Sequence, residues 1–282
     1  MENSNWKTNW KHPGSIGAVI GLLVIVAVVL LVNPPNACAQ SEIEQEPVIE
    51  GFSLFRYEDD LSWKLSGKEA GRKDNYLSVQ EFEFVVSQSG SGDAESLYSL
   101  SGKKIRLRSN GGQKVAIIPG KLEIDIPQGL SGTAGNARYD FSTGGVTGGN
   151  IDLVQMDGEN RTSLKGNNFQ YSYNEKTLII TGGFRAEIVN SERELLEISG
   201  GRLTWKKDGN ITMTGELTAS TDSGWRLSAS RMSWRVDGEN LVCSGSVVAV
   251  KDRTRIEGDS LTYDGTNKQV MIQNAIMTRK DI

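Results

Sequence analysis

Histidine is almost absent from this sequence of 282 residues: His12 is the only one, and it lies in the N-terminal segment. A Ser-His-Asp triad, a Cys-His pair or a histidine-ligated metal site therefore cannot form in the remainder of the chain. No phosphate-loop motif occurs, and the glycine-rich stretch 144–149 lacks the strand-to-helix context of a phosphate cradle. We therefore expect a protein that is not an enzyme and that uses neither a cofactor nor a metal.

Cysteine and proline are also scarce, with two and six residues, whereas glycine is abundant, with 32. This balance is typical of many strands joined by turns. Cys38 and Cys243 could form at most one disulfide, and Cys243, in a strand pattern, is expected to be a small buried apolar residue. The net charge is −4 and no basic block follows the N-terminus, so we expect no nucleic-acid partner.

One long apolar run is present, near the N-terminus. Residues 16–32 carry no charge, and a helix of this length spans roughly 26 Å. Trp6, Lys7, Trp10 and Lys11 precede the run, as in an interfacial anchor of aromatic and basic side chains. The positive-inside rule then places the N-terminus in the cytoplasm.

The sequence therefore predicts a single-pass protein of the bacterial inner membrane. Residues 1–15 are expected to be cytoplasmic, residues 16–32 to form the transmembrane anchor and residues 33–50 to form a polar linker to a periplasmic domain. The alternative is a cleaved signal peptide, because Ala37 and Ala39 match the small-x-small pattern of a signal peptidase site. Cleavage after Ala39 would make the protein soluble and periplasmic.

A repeated unit fills much of the chain beyond the linker. Four copies begin LKGNNFQY, ISGGRLTW, LSASRMSW and IEGDSLTY, and they end in Tyr171, Trp205, Trp234 and Tyr263. A polar turn such as KKDGN follows, and then apolar and polar residues alternate. Because a period of two indicates a strand and Asp-Gly favours a hairpin turn, each unit is predicted to be a β-hairpin with one apolar face.

The second arm of three of these hairpins has glycine at its centre, at Gly182, Gly215 and Gly245. Glycine inside a strand often marks a bend or a bulge. Bends at the same place in each unit would fold the sheet over on itself, so that the apolar faces look at each other across a trough. We therefore predict an all-β fold, an elongated folded antiparallel sheet or open β-jellyroll of stacked hairpins, with one N-terminal transmembrane helix.

These features resemble a known family. The N-terminal membrane segment, the linker, the sequence LSWKLSGKEA at 61–70 and the repeated hairpins resemble LptC, the membrane-anchored periplasmic component of the lipopolysaccharide exporter. The unit at 256–278 resembles the OstA/LptA-type domain of the same pathway. The LptC-like part is assigned to 51–190, and 191–282 adds OstA-like repeats that continue the same sheet. The chain is then an elongated LptC or a fusion of LptC-like and LptA-like parts.

The resemblance implies a role in lipopolysaccharide export. Proteins of this family stack end to end by strand addition and carry acyl chains in an apolar trough from the inner to the outer membrane. The implied partners are lipopolysaccharide, the inner-membrane ABC exporter components, and an LptA-like bridge protein or a second copy of this chain. A multi-acyl lipid needs a continuous apolar lining in water, because each buried methylene contributes about 0.8 kcal/mol.

The resemblance and the strand pattern together give candidate site residues. The candidate acyl-chain contacts share strand parity in adjacent units and are Leu178, Ile180, Phe184, Ile211, Met213, Leu217, Val247 and Ile272. Val270, Ile272 and Ile276 form the predicted docking edge, because no proline or charge interrupts the final arm between residues 269 and 278.

Other interpretations remain open. The same apolar residues could merely fill a closed core. A structural or adhesive β-repeat protein of the envelope, without lipid transport, would use similar hairpins. A carbohydrate-active β-helix would need outward-facing carboxylates stacked at a repeated position, and the sequence shows none.

Overall fold

The structure is a computed structural model. It describes residues 48–58, 61–73, 75–88, 95–110, 113–126, 129–189, 195–206, 208–235, 240–264 and 269–279. All of these lie in one compact unit, Pro47–Ile282. The predicted cytoplasmic segment, transmembrane anchor and cleavage site lie outside the described residues. Among the residues that are described, no helix is long and apolar enough to cross a membrane.

The described residues form β-strands joined by turns. The strands are β1 (Val48–Glu58), β2 (Leu61–Lys73), β3 (Tyr76–Gln88), β4 (Glu95–Asn110), β5 (Gln113–Ile126), β6 (Leu130–Asp140), β7 (Gly145–Asp157), β8 (Asn160–Ser172), β9 (Thr177–Val189), β10 (Leu195–Lys206), β11 (Asn210–Thr221), β12 (Arg226–Arg235), β13 (Asn240–Lys251), β14 (Thr254–Asp264), β15 (Gln269–Gln273) and β16 (Ile276–Arg279). They make one open antiparallel sheet in sequence order from β1 to β15, and β16 pairs with β14 beside β15. The predicted all-β class and open sheet of successive hairpins are confirmed; β1 begins inside the predicted linker.

The four repeated units form the hairpins that their sequences predict. In each of them the terminal aromatic residue pairs with the first apolar residue of the second arm. The pairs are Tyr171 with Leu178, Trp205 with Ile211, Trp234 with Leu241, and Tyr263 with Val270. The sheet also continues from β9 to β10 without a break in pairing, so the two predicted regions, 51–190 and 191–282, belong to one sheet.

The strands bend near their centres. Gly182, Gly215 and Gly245 have positive φ angles of 75°, 87° and 76°, a conformation that glycine adopts at little steric cost. The pairing register shifts beside each of them. Such irregularities bend a strand and increase its twist. The bends predicted from the central glycines are therefore confirmed.

The bends fold the sheet over on itself. The rings of Phe84 in β3 and Tyr139 in β6 have centroids 5.1 Å apart, and those of Tyr98 in β4 and Tyr171 in β8 are 5.7 Å apart. Adjacent strands lie about 4.8 Å apart, so three or four strand spacings in a flat sheet would separate these rings by roughly 14–19 Å. The contacts therefore require two layers that face each other.

Antiparallel pairing determines which half-strands share a layer. Layer A comprises the second halves of odd-numbered strands, the first halves of even-numbered strands, and β16. Layer B comprises the remaining half-strands and β15. The hydrophobic core lies between the inner faces of the two layers and includes buried residues from Phe52 in β1 to Leu261 in β14.

Candidate functional site

The predicted acyl-chain contacts lie on the inner faces of both layers. Leu178, Ile180, Ile211 and Met213 belong to layer B, and Phe184, Leu217 and Val247 belong to layer A. All seven are at most 6% exposed and belong to one core cluster, whereas Ile272 is half-buried at its border. The structure thus brings together the residues that the strand pattern selected.

These inner faces are tightly packed in the middle of the sheet. Phe184 and Leu217 pack over Gly200 of β10, and a Cβ atom added there would overlap Leu217 and lie 2.9 Å from Phe184. Ile180 packs over Gly166 of β8 in the same way. Glycine at these positions therefore leaves room for the large side chains of the neighbouring strands.

The space between the layers is nearly closed at this point. A cavity of about 10 Å³ lies between the described strands here, which is room for about one water molecule. It is lined by Leu164, Ala186 and Ile198 of layer A and by Trp205, Ile211, Met213 and Trp234 of layer B. An acyl chain could enter here only if the packed side chains moved or the layers separated.

The two layers are offset along the sheet. Phe84 of β3 in layer A packs against Tyr139 of β6 in layer B. Farther along, Leu164 of β8 and Ile198 of β10 in layer A share the small cavity with Met213 of β11 in layer B. The half of a strand that belongs to layer A is thus covered by the layer B halves of strands that come later in the chain. Among the described strands, none follows β16, so the last part of layer A stays uncovered.

The inner apolar face is exposed at the end formed by β14, β15 and β16, in layer A and also in the last strands of layer B. Tyr263 pairs with Val270 on the inner face of layer B, and Ile256 pairs with Met277 on the inner face of layer A. Tyr263 is 37% exposed, Val270 56% and Met277 65%, whereas Trp205, the counterpart of Tyr263 in an earlier repeat, is 4% exposed.

The free edge at this end is also apolar. β15 and β16 pair with β14, and in the described part of the chain no strand pairs with their other side. Of the predicted edge residues, Val270 and Ile276 are exposed, and Ile272 packs partly against the core. An uncovered strand of this kind presents backbone donors and acceptors to another strand.

Charged residues lie on the outer faces of the layers. Arg185, beside inward-facing Phe184, binds Glu187 at 3.2 Å and Glu197 at 2.8 Å. Lys165 binds Asp152 at 3.3 Å. The sheet therefore separates an apolar inner surface from a charged outer one, as the alternation in the sequence predicted.

Burial shifts the pKa of several interior groups. It raises the pKa of Tyr171 to about 12 and that of the Cys243 thiol to about 11, and it raises the pKa of Tyr98 well above its usual value. Cys243 is fully buried and free, as expected, and a protonated buried thiol is a poor nucleophile. No group of three or more side chains in the described ranges could hold a metal ion.

Two features of this site were not found from the sequence. Tyr263 repeats a position that is buried in an earlier unit, and Met277 pairs with the inward-facing Ile256, yet both are exposed at the end formed by β14, β15 and β16. The aromatic cluster that joins the layers, including Phe84, Tyr98 and Tyr139, depends on which strands face each other, which a repeat pattern does not specify. No protein-family model and no curated protein matches the chain.

Proposed function

We propose that this protein is a membrane-anchored periplasmic component of a lipopolysaccharide export system in the bacterial envelope. Acyl chains of the lipid occupy the apolar interior between layers A and B. They pass to the next protein through the end formed by β14, β15 and β16. The observation that supports the proposal most strongly is an apolar interior that runs from Phe52 to Leu261 and is uncovered at that end.

Acyl chains enter the interior by separating the layers. Strands within each layer are joined by backbone pairing, whereas Phe184, Leu217 and Met213 contribute apolar side chains to the space between them. Movement about the central bends therefore opens the interior without breaking the lateral pairing. The apolar surface that this movement exposes is covered by the lipid, so its cost is offset by burial of methylene groups.

The free edge supports the proposed partners. A strand that adds to β15 and β16 would extend both the sheet and the apolar inner face, and main-chain hydrogen bonds would supply affinity. The partner at this edge is an LptA-like bridge protein or a second copy of the chain. Components of an inner-membrane ABC exporter supply the lipid. The proposal places the protein in the inner membrane through residues 16–32, or free in the periplasm if the chain is cleaved after Ala39.

A second candidate function is a structural β-repeat protein of the envelope that binds no lipid. The observation that favours it is the close packing around Met213, where the cavity between the layers has a volume of about 10 Å³. In that case the interior is an ordinary core, and the exposed edge serves assembly alone.

Lipid binding by the purified full-length protein separates the two candidates. Native mass spectrometry is carried out with lipopolysaccharide and, in parallel, with the same polysaccharide after removal of its acyl chains. We expect a complex with the acylated form only, because the acyl chains are the part of the lipid that the apolar interior holds. Equal binding of both forms, or no complex with either, would contradict lipid transport and favour the structural role.

A further inference from the structure

An open groove lies on the outer face of layer A, where β11, β12, β13 and β14 run side by side. Its volume is about 350 Å³, within the range of small-ligand sites, about 300–1,000 Å³. Its lining includes Ser220, Arg226, Ser228, Val248, Val250 and Arg255.

The groove opens on the face of the sheet opposite the apolar interior, and the inward-facing Ala219 and Leu227 also contribute to its lining. Residues directly opposite each other in paired strands share a face of the sheet. Leu227 lies opposite both Ala219 and Ala249 and packs against the core. Arg226 precedes Leu227 and Val250 follows Ala249 in the sequence. Their side chains therefore project from the opposite, outer face of the sheet.

Two arginines border the groove on either side of Val250. Arg226 pairs with Val250 between β12 and β13, and Arg255 pairs with Val250 between β13 and β14. The strand spacing puts the two arginine Cα atoms roughly 10 Å apart on one face. Both long side chains can therefore reach a single group that lies over Val250.

The groove has an excess of positive charge. Glu257 accepts a hydrogen bond from Nε of Arg255, and the nearby Glu197 is bound by Arg185 at 2.8 Å. Arg226 has no ion-pair or hydrogen-bond partner within the described part of the chain. One guanidinium group is thus uncompensated, and a second is shared with one carboxylate.

We propose that this groove binds a small amphiphile that carries a phosphate monoester. The phosphate lies between Arg226 and Arg255, because planar guanidinium groups bind phosphate through paired, charge-assisted hydrogen bonds. The hydroxyl of Ser228 supplies a further donor, and Val250 contacts the apolar part of the ligand. The site does not depend on lipid transport through the interior.

Calorimetric titration of the purified full-length protein tests this proposal. The titrants are octyl phosphate below its critical micelle concentration, inorganic phosphate and octyl glucoside. We expect octyl phosphate to bind more tightly than inorganic phosphate and octyl glucoside, and any binding of octyl glucoside to be independent of Arg226 and Arg255. Arg226→Gln and Arg255→Gln should each weaken octyl phosphate binding by about tenfold, as expected for loss of a charge-assisted hydrogen bond. Glu257→Gln should strengthen binding, because it releases Arg255.

The matched control is the double variant Arg202→Gln/Arg231→Gln. These arginines also lie on an outer face and both pair with one residue, Thr214, but they belong to layer B and lie outside the groove. The control should leave the affinity unchanged. Equal weakening by control and groove variants, or no weakening by the groove variants, would overturn the proposal. It would also be overturned if vesicles containing phosphatidylglycerol bound through Arg226 while octyl phosphate did not, since that would indicate a membrane contact.

Discussion

At the scale of single residues, glycines decide how closely the chain can pack against itself. Gly132 of β6 lies against the backbone of β7: a Cβ atom there would overlap the carbonyl oxygen of Asp152 and lie 2.8 Å from Cα of Leu153. Gly135 lies three residues later in the same strand. A Cβ atom added to Gly135 would have its nearest neighbouring atom 3.5 Å away. Backbone atoms cannot move aside as a side chain can, so the two positions should differ in tolerance.

The pair Gly132→Ala and Gly135→Ala tests this packing. Gly132→Ala should lower the free energy of unfolding by about 1–3 kcal/mol, as overpacking does, whereas Gly135→Ala should change it by less than about 0.5 kcal/mol. Urea denaturation of both variants, compared with the unaltered protein, gives the two values. Equal stability of the two variants would show that β6 and β7 are not as close as described.

At the scale of elements, the edge formed by β15 and β16 is the part of the sheet that is suited to association. β15 has two neighbouring residues of similar exposure on opposite faces: Val270, 56% exposed, points to the inner face, and Met271, 61% exposed, points to the outer face. Inward-pointing charge on an edge strand is a common means of blocking edge-to-edge pairing. A charge placed at Val270 therefore tests whether association needs a continuous apolar interior. A charge placed at Met271 tests whether it needs only an exposed apolar edge.

We expect Val270→Lys to weaken association at this edge by at least about tenfold, because a charge would be placed where two apolar interiors meet. Met271→Lys should have little effect, since its side chain stays in water. Analytical ultracentrifugation of the full-length protein, alone and with an LptA-like bridge protein, measures the association. Indistinguishable behaviour of the two lysine variants would contradict a continuous interior, and circular dichroism establishes that both remain folded.

At the scale of the whole sheet, most of the hairpins could be predicted from sequence. Alternation and Asp-Gly turns specify local pairs such as Trp205 with Ile211, and a central glycine such as Gly215 indicates a bend. The offset between the layers could not be predicted, because it depends on which distant strands face each other, and local alternation does not specify that. The sequence also did not distinguish the buried Trp205 from its exposed counterpart Tyr263, because the two residues occupy the same place in their repeats. The groove at Arg226 was also missed, since arginine at an outward position ordinarily indicates only a solvated face.

The central claim is that acyl chains lie between the two layers, and Phe184 and Arg185 allow a direct test of it. Phe184 is buried on the inner face of β9, and Arg185 lies on the outer face, bound to Glu197. A photoreactive benzoylphenylalanine is placed at either position of the full-length protein, and cells are irradiated while export is active. The account predicts lipopolysaccharide adducts at position 184 and none at position 185. Equal adduct yields at both positions, or no adduct at position 184, would contradict it.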